Sequence, residues 1–244
     1  MILLDCGNSR IKARLQDSDR LCASFSCTYR GNWSADLANW MRESPAHHCY
    51  FSSVLDSERQ ARLDACLAER FDRAVTRFDS QAQALGVTSG YLEPALLGDD
   101  RWMALLAAAE LVDGDCIVID AGSAITLDLL RADGQHLGGA ILPGFNTSID
   151  KFKRIFSHID FEHMEIALQD APGCSTEAAI HIDYDHNLTE TLPALVNRWT
   201  DIFKGEAAIL VTGGDAYRVQ NLLEHSARIV PDLVFRGIFR LAST

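Results

Sequence analysis

The pattern of apolar and polar positions repeats once along the chain. Residues 1–15 (MILL-DCGNSR-IKARL) open with an unbroken apolar run, pass through Asp-x-Gly and small polar residues, and then alternate. Residues 116–130 (CIVI-DAGSA-ITLDLL) do the same with a turn one residue shorter. An unbroken apolar run reads as a strand buried on both faces. Strict alternation reads as a strand with one buried face. Ile11, Ala13 and Leu15 share one side against Lys12 and Arg14; Ile125, Leu127 and Leu129 alternate with Thr126 and Asp128. Each half is therefore predicted to begin with a β-hairpin whose turn presents an aspartate, a glycine and a hydroxyl.

Further strands are predicted at 48–54, 73–78, 137–142 and 207–211, and helices at 57–70, 99–112, 175–182, 187–203, 215–225 and 231–241, with another near 147–157. Residues 79–98 read as a Gly- and Pro-punctuated loop. A hairpin followed by β/α alternation, given twice, predicts two similar α/β domains, 1–112 and 113–244, with a cleft between them. The 244 residues are enough for two such cores.

Composition narrows the function. The net charge of −12 opposes non-specific binding to nucleic acid or to anionic membranes, both of which need cations in excess. The seven cysteines are odd in number and form no C-x-x-C, as expected of reduced thiols in a cytoplasmic protein. The apolar run at the start ends at Asp5 without a basic stretch before it, so neither a signal peptide nor a transmembrane helix is expected. No G-x-x-x-x-G-K-S/T, protein-kinase loop, G-x-S-x-G or H-E-x-x-H occurs. Zinc is not expected.

Three local patterns carry chemistry. In the first turn, Gly7 lets the backbone approach an anion, and Asn8 or Ser9 can donate to a phosphate oxygen. There Asp5 can hold Mg²⁺ directly or through water, and the Lys12 ammonium can reach a phosphate. Val211–Asp215 (VTGGD) follows an apolar strand and opens a helix, where paired glycines let the backbone lie flat against a ligand. Gly98-Asp99-Asp100-Arg101 places two carboxylates and a guanidinium at a helix start. Asp100 can accept a proton from an alcohol, Arg101 can grip a carboxylate, and Tyr91 can wall the same pocket. Ordinary hairpin turns and helix capping explain each pattern taken alone.

Together, D-C-G-N-S-R-I-K (5–12), Y-L-E-P-A-L-L-G-D-D-R (91–101), D-A-G-S-A-I-T (120–126), G-G-A-I-L-P-G (138–144), S-T-E-A-A-I (175–180) and T-G-G-D-A (212–216) resemble the type III pantothenate kinases, in order and over nearly the whole chain. The resemblance implies two RNase H-like domains of the actin-like ATPase and sugar-kinase superfamily, a homodimer, and ATP-dependent phosphorylation of pantothenate, the first step of coenzyme A synthesis. It implies that Asp5, Cys6, Gly7, Asn8, Ser9, Arg10, Ile11 and Lys12 line the ATP phosphates with Mg²⁺, and that Ser123 contacts ATP. It implies Asp100 as the proton acceptor, with Tyr91, Gly98, Asp99, Asp100, Arg101 and Thr176 around pantothenate. Asp120 is implied to bind a monovalent cation, K⁺ or NH₄⁺. Ser9 and Ser123 stand where threonine is usual, and both keep the hydroxyl. The stretch 181–186 departs from a pattern expected to contain glycine. A sugar kinase of the same superfamily explains Asp100 equally well, but leaves Arg101 without a carboxylate to hold. A non-catalytic accessory protein on this scaffold is the other alternative.

Overall fold

Two five-stranded sheets with the same spatial order organise the chain. The computed structural model describes residues 1–18, 20–145, 147, 154–155, 172, 174–204, 206–223 and 227–244; of the side chains within 177–187 nothing is described. In the first sheet, β1 (Ile2–Cys6) lies between β2 (Arg10–Asp17) and β4 (Cys49–Ser53), with β3 (Arg20–Thr28) and β5 (Val75–Arg77) at the edges. β1 pairs antiparallel with β2 and parallel with β4, so a hairpin leads into a parallel crossover. The second sheet repeats this order with β8 (Cys116–Ala121) central, β9 (Ala124–Leu130) and β10 (His136–Pro143) on one side, β11 (Ala208–Thr212) and β12 (Arg228–Ile229) on the other. A two-residue ladder, β6 (Gln83–Ala84) with β7 (Val87–Thr88), stands apart.

The fold divides into two units. One holds Met1–Asp113, Leu130–Gly138 and Asp232–Thr244; the other holds Gly114–Leu129 and Gly139–Pro231. Both central strands are buried along their apolar residues, as the unbroken runs predict. In the first unit Ile2, Leu4, Ile11 and Ala13 pack with Trp33, Leu37 and Met41 of α1 (Trp33–Arg42) and with Leu63 and Leu67 of α2 (Ser57–Phe71). In the second, Ile117, Ile119, Ile125, Leu127 and Val211 pack with Leu192 and Val196 of α4 (Thr176–Thr200) and Val219 of α5 (Ala216–Leu222).

Helix α3 (Asp99–Leu111) is the element that positions the site. Every residue from Trp102 to Ala108 is buried, so it is held on all sides. The final helix, α6 (Leu233–Ala242), lies in the first unit. A Cβ on Gly237 would stand 2.0 Å from the Met103 carbonyl oxygen, so only glycine permits this approach of α6 to α3. Arg14 pairs with Asp232 and sits over Phe235, while Arg240 pairs with Glu110 at 3.1 Å.

Two expectations are corrected. The helices predicted at 175–182 and 187–203 are one helix, Thr176–Thr200, followed by a 3₁₀ turn at Asp201–Phe203. No glycine or proline lies at 183–187 to end it. Strand β3 and helix α1 lie in a stretch where the pattern predicts no element. β3 has no fully buried residue, and α1 buries three of its ten residues. The helix expected near 147–157 lies mostly outside the described residues.

Candidate active site

The first Asp-x-Gly turn joins β1 to β2. The register sets Asp5 opposite Lys12 and Cys6 opposite Ile11. Side chains directly opposite share a face, so Lys12 Nζ reaches Asp5 Oδ2 at 3.3 Å while the carboxylate itself is buried. Cys6 and Ile11 turn the other way, into the core. Burial, and then the nearby Asp5 charge, push the Cys6 thiol well above its ordinary pKa. Of the turn residues, Cys6 and Ile11 thus have only backbone to offer a ligand, while Asn8, Ser9 and Arg10 are exposed. A Cβ on Gly7 would meet only the Arg10 carbonyl oxygen at 3.6 Å, ordinary contact, so protein packing does not demand glycine there.

The second element is the start of α3. Asp100 folds back over Gly98, and its Oδ1 accepts the Arg101 N–H at 2.8 Å. A Cβ on Gly98 would stand 2.8 Å from that same oxygen, so the glycine makes room for the carboxylate. Asp100 has its pKa raised to about 6 by burial and then by the Asp5 charge, opposed by the Arg101 N–H and guanidinium. The turn carboxylate and the α3 carboxylate therefore feel each other within one unit. Arg101 is buried, donates from Nη1 to the Tyr91 hydroxyl at 2.6 Å, and holds its Cζ 5.4 Å from the Tyr91 ring centroid. Asp99 faces elsewhere. Its Oδ1 accepts the Ser80 N–H at 2.8 Å and the Ser80 hydroxyl at 3.1 Å, and Arg77 Nη2 lies 3.4 Å from Oδ2. Its carboxyl pKa is raised by burial, against the lowering effect of the Ser80 bonds. The adjacent carboxylates thus divide into one tied to protein partners and one turned back over the helix start.

The second Asp-x-Gly turn lies in the other unit. Asp120 is opposite Thr212 in the β8–β11 register. A Cβ on Gly213 (φ +94°) would fall 2.3 Å from the Ala121 carbonyl oxygen and 2.5 Å from Asp120 Oδ1. Gly144 donates to the Ser123 carbonyl at 3.0 Å, and its Cβ would come within 2.2 Å of the Gly122 carbonyl oxygen. Ser123 is exposed, and Thr176 is exposed at the first position of α4.

Sequence reasoning missed several supporting residues. Arg59 of α2 donates to the Asn8 carbonyl at 2.9 Å and sits 4.9 Å from the Tyr29 ring centroid, bracing the first turn. Ser80 and Arg77 fix Asp99, and His136 stacks on Tyr91. Their partners are distant in sequence, and no local motif marks them.

The oxygen donors suit a hard cation. Asp5 offers a buried carboxylate, and the Ser52 hydroxyl, on its register partner, is buried without a hydrogen-bond partner. Among the described residues no three His, Cys, Asp or Glu side chains cluster as a metal cage. Mg²⁺ is commonly held by one or two carboxylates together with substrate phosphates and water, the kind of donor Asp5 offers.

The chain is 34% identical to a type III pantothenate kinase of Azotobacter vinelandii over 98% of this chain and 96% of that one. It is also 34% identical to a type III pantothenate kinase of Pseudomonas aeruginosa over 98% and 97%. Among solved structures, a candidate 2-dehydro-3-deoxygalactonokinase of Sinorhizobium meliloti aligns with a TM-score of 0.63 at 15% identity, covering 99% of this chain and 97% of that one. MreB 5 of Spiroplasma citri bound to AMPPNP aligns at 0.51 and 12% identity, covering 99% and 95%. These show the fold, that of the actin-like ATPases and sugar kinases. The family model for type III pantothenate kinases matches residues 1–182, and with these relatives it shows that the chain belongs to the type III pantothenate kinase family.

Proposed function

We propose that the chain transfers the γ-phosphoryl group of ATP to the primary hydroxyl of pantothenate, giving 4′-phosphopantothenate in the first step of coenzyme A synthesis. The observation that carries the reading is the start of α3: a carboxylate of raised pKa beside a guanidinium already bonded to a phenol. Pantothenate has a hydroxyl to lose a proton at one end and a carboxylate to be held at the other. Asp100 orients the hydroxyl and takes its proton. The hydroxyl oxygen forms the new bond to the γ-phosphorus as the bond to the bridging oxygen breaks, and ADP leaves. Such transfers depend on positioning and charge neutralisation more than on covalent help. Arg101 and Tyr91 hold the carboxylate, Gly98 leaves room for Asp100, and Asp99, tied to Ser80, fixes the helix start.

Asp5, Lys12, Ser9 and the backbone of residues 6–11 receive the polyphosphate, with Arg59 steadying the turn. Mg²⁺ bound with ATP would neutralise developing charge on the phosphates, and Asp5 is the carboxylate placed to hold it. By the family resemblance, Ser123 contacts ATP, Thr176 contacts pantothenate, and Asp120 holds a monovalent cation, K⁺ or NH₄⁺. We further propose a cytoplasmic homodimer without nucleic-acid or membrane partners. The charge of −12 supports the last point, and no helix among the described residues is long and apolar enough to cross a membrane. Exposed Leu92 and Leu96, beside Tyr91, support self-association.

The test is ADP release by purified protein with ATP, Mg²⁺ and K⁺, comparing pantothenate, glucose and no acceptor. Release that depends on pantothenate is expected. Release that depends on glucose points to a sugar kinase, and none with either acceptor to a non-catalytic protein.

A further inference from the structure

We infer that His136 is a positioning residue for pantothenate recognition, holding Tyr91 where its hydroxyl and Arg101 together meet the substrate carboxylate. This rests on the reading above, in which Tyr91 and Arg101 take that carboxylate.

His136 opens β10 and is wholly buried. A buried imidazole is costly unless its nitrogens are satisfied. Its Nδ1 accepts the Gly90 N–H at 3.3 Å, which assigns the neutral ring a proton on Nε2. Its ring lies nearly parallel to that of Tyr91, 17° between planes and 6.0 Å between centroids. One side chain thus holds the residue before Tyr91 by a hydrogen bond and Tyr91 itself by its face. On its far edge Tyr91 accepts from Arg101, which leaves the phenolic proton to donate to a carboxylate.

The backbone around His136 is fastened independently of the ring. The Thr88 N–H donates to the Gly134 carbonyl at 2.9 Å, and Gln135 Nε2 donates to the His136 carbonyl at 2.8 Å. A Cβ on Gly90 would stand 2.2 Å from the His136 carbonyl oxygen, so the two backbones are in direct contact. Residues 134–136 therefore form a strap across 88–91, and the imidazole is the part of it that addresses Tyr91. Changing that ring alters the aim of the Tyr91–Arg101 pair while the strap stays attached.

The experiment measures KM for pantothenate, for its primary-alcohol analogue lacking the carboxylate, and for ATP. It compares the parent with His136→Leu, which loses acceptor and face, His136→Phe, which keeps the face, and His136→Asn, which keeps an acceptor. His136→Leu is expected to raise KM for pantothenate roughly tenfold and to leave KM for ATP and for the analogue near parent values. His136→Phe and His136→Asn should fall between. A pantothenate KM that stays at the parent value, or rises equally for pantothenate and analogue, overturns the inference. If His136→Leu does not yield folded protein, His136→Asn decides by the same comparison. Arg101→Ala separates the two layers. A parent preference for pantothenate over the analogue that survives Arg101→Ala sinks the carboxylate reading. A preference lost in Arg101→Ala but kept in the His136 variants sinks only the role of His136.

Discussion

The two Asp-x-Gly turns share a hairpin and differ in what stands behind them. Asp5 is backed by charge: Lys12 lies 3.3 Å away, and Asp100 is close enough to have its pKa raised by Asp5. Around Asp120 the backbone closes in, with Gly213 against its carboxylate and Gly144 against the following turn residues. The glycine within the first turn differs from the one packed against the second. Gly7 could carry a methyl without touching anything closer than 3.6 Å, whereas Gly213 at φ +94° could not carry one without displacing the Ala121 carbonyl. One scaffold thus carries a turn with a lysine across from its aspartate and a turn on which neighbouring glycines close. Packing demands neither turn's own glycine, since a Cβ on Gly122 would meet nothing closer than 3.7 Å; it demands Gly213, which lies against the second turn.

The largest expected effect falls on the charged side. Asp100→Asn should lower kcat by roughly two to four decades, the span of general-base loss, with pantothenate affinity by calorimetry near the parent value. Near-parent turnover would take Asp100 out of that role. Next come the glycines, which should fail in opposite ways. Gly213→Ala is expected to destabilise by about 1–3 kcal/mol, as overpacking does, and to lower the thermal midpoint by several degrees. Gly7→Ala should leave that midpoint in place and raise KM for ATP. Equal melting behaviour of the two variants would erase the contrast. The smallest effect concerns the cation. Replacing K⁺ by Na⁺ should lower activity a few-fold in the parent and not in Asp120→Asn; indifference of the parent contradicts the Asp120 assignment.

Much of this contrast was legible from local pattern. Both hairpins announce themselves by an apolar run, a turn and alternation, because a strand's period is local. The Gly98–Arg101 motif is equally compact. What the sequence concealed depends on distant partners. Ser80 meets Asp99 across 19 positions and His136 meets Gly90 across 46, and neither leaves a periodic trace. Asp99 and Asp100 look alike in sequence, and only Ser80 and Arg77 separate their roles. Strand β3 is an edge strand without a fully buried residue; only Phe25 and Cys27, half-buried against the core, give it an inner face. The last helix reads as a plain C-terminal helix; Gly237 against Met103 is what ties it to the first unit.

The most direct test of the account is the pH dependence of kcat/KM for pantothenate. Asp100 has its pKa raised to about 6 and takes a proton only when ionised, so activity should fall as the pH drops through 6. Asp5→Asn removes a like charge and should move that limb to lower pH, while the residual activity of Asp100→Asn should run flat through the same range. A limb that stays in place in Asp5→Asn, or persists unchanged in Asp100→Asn, would contradict the account.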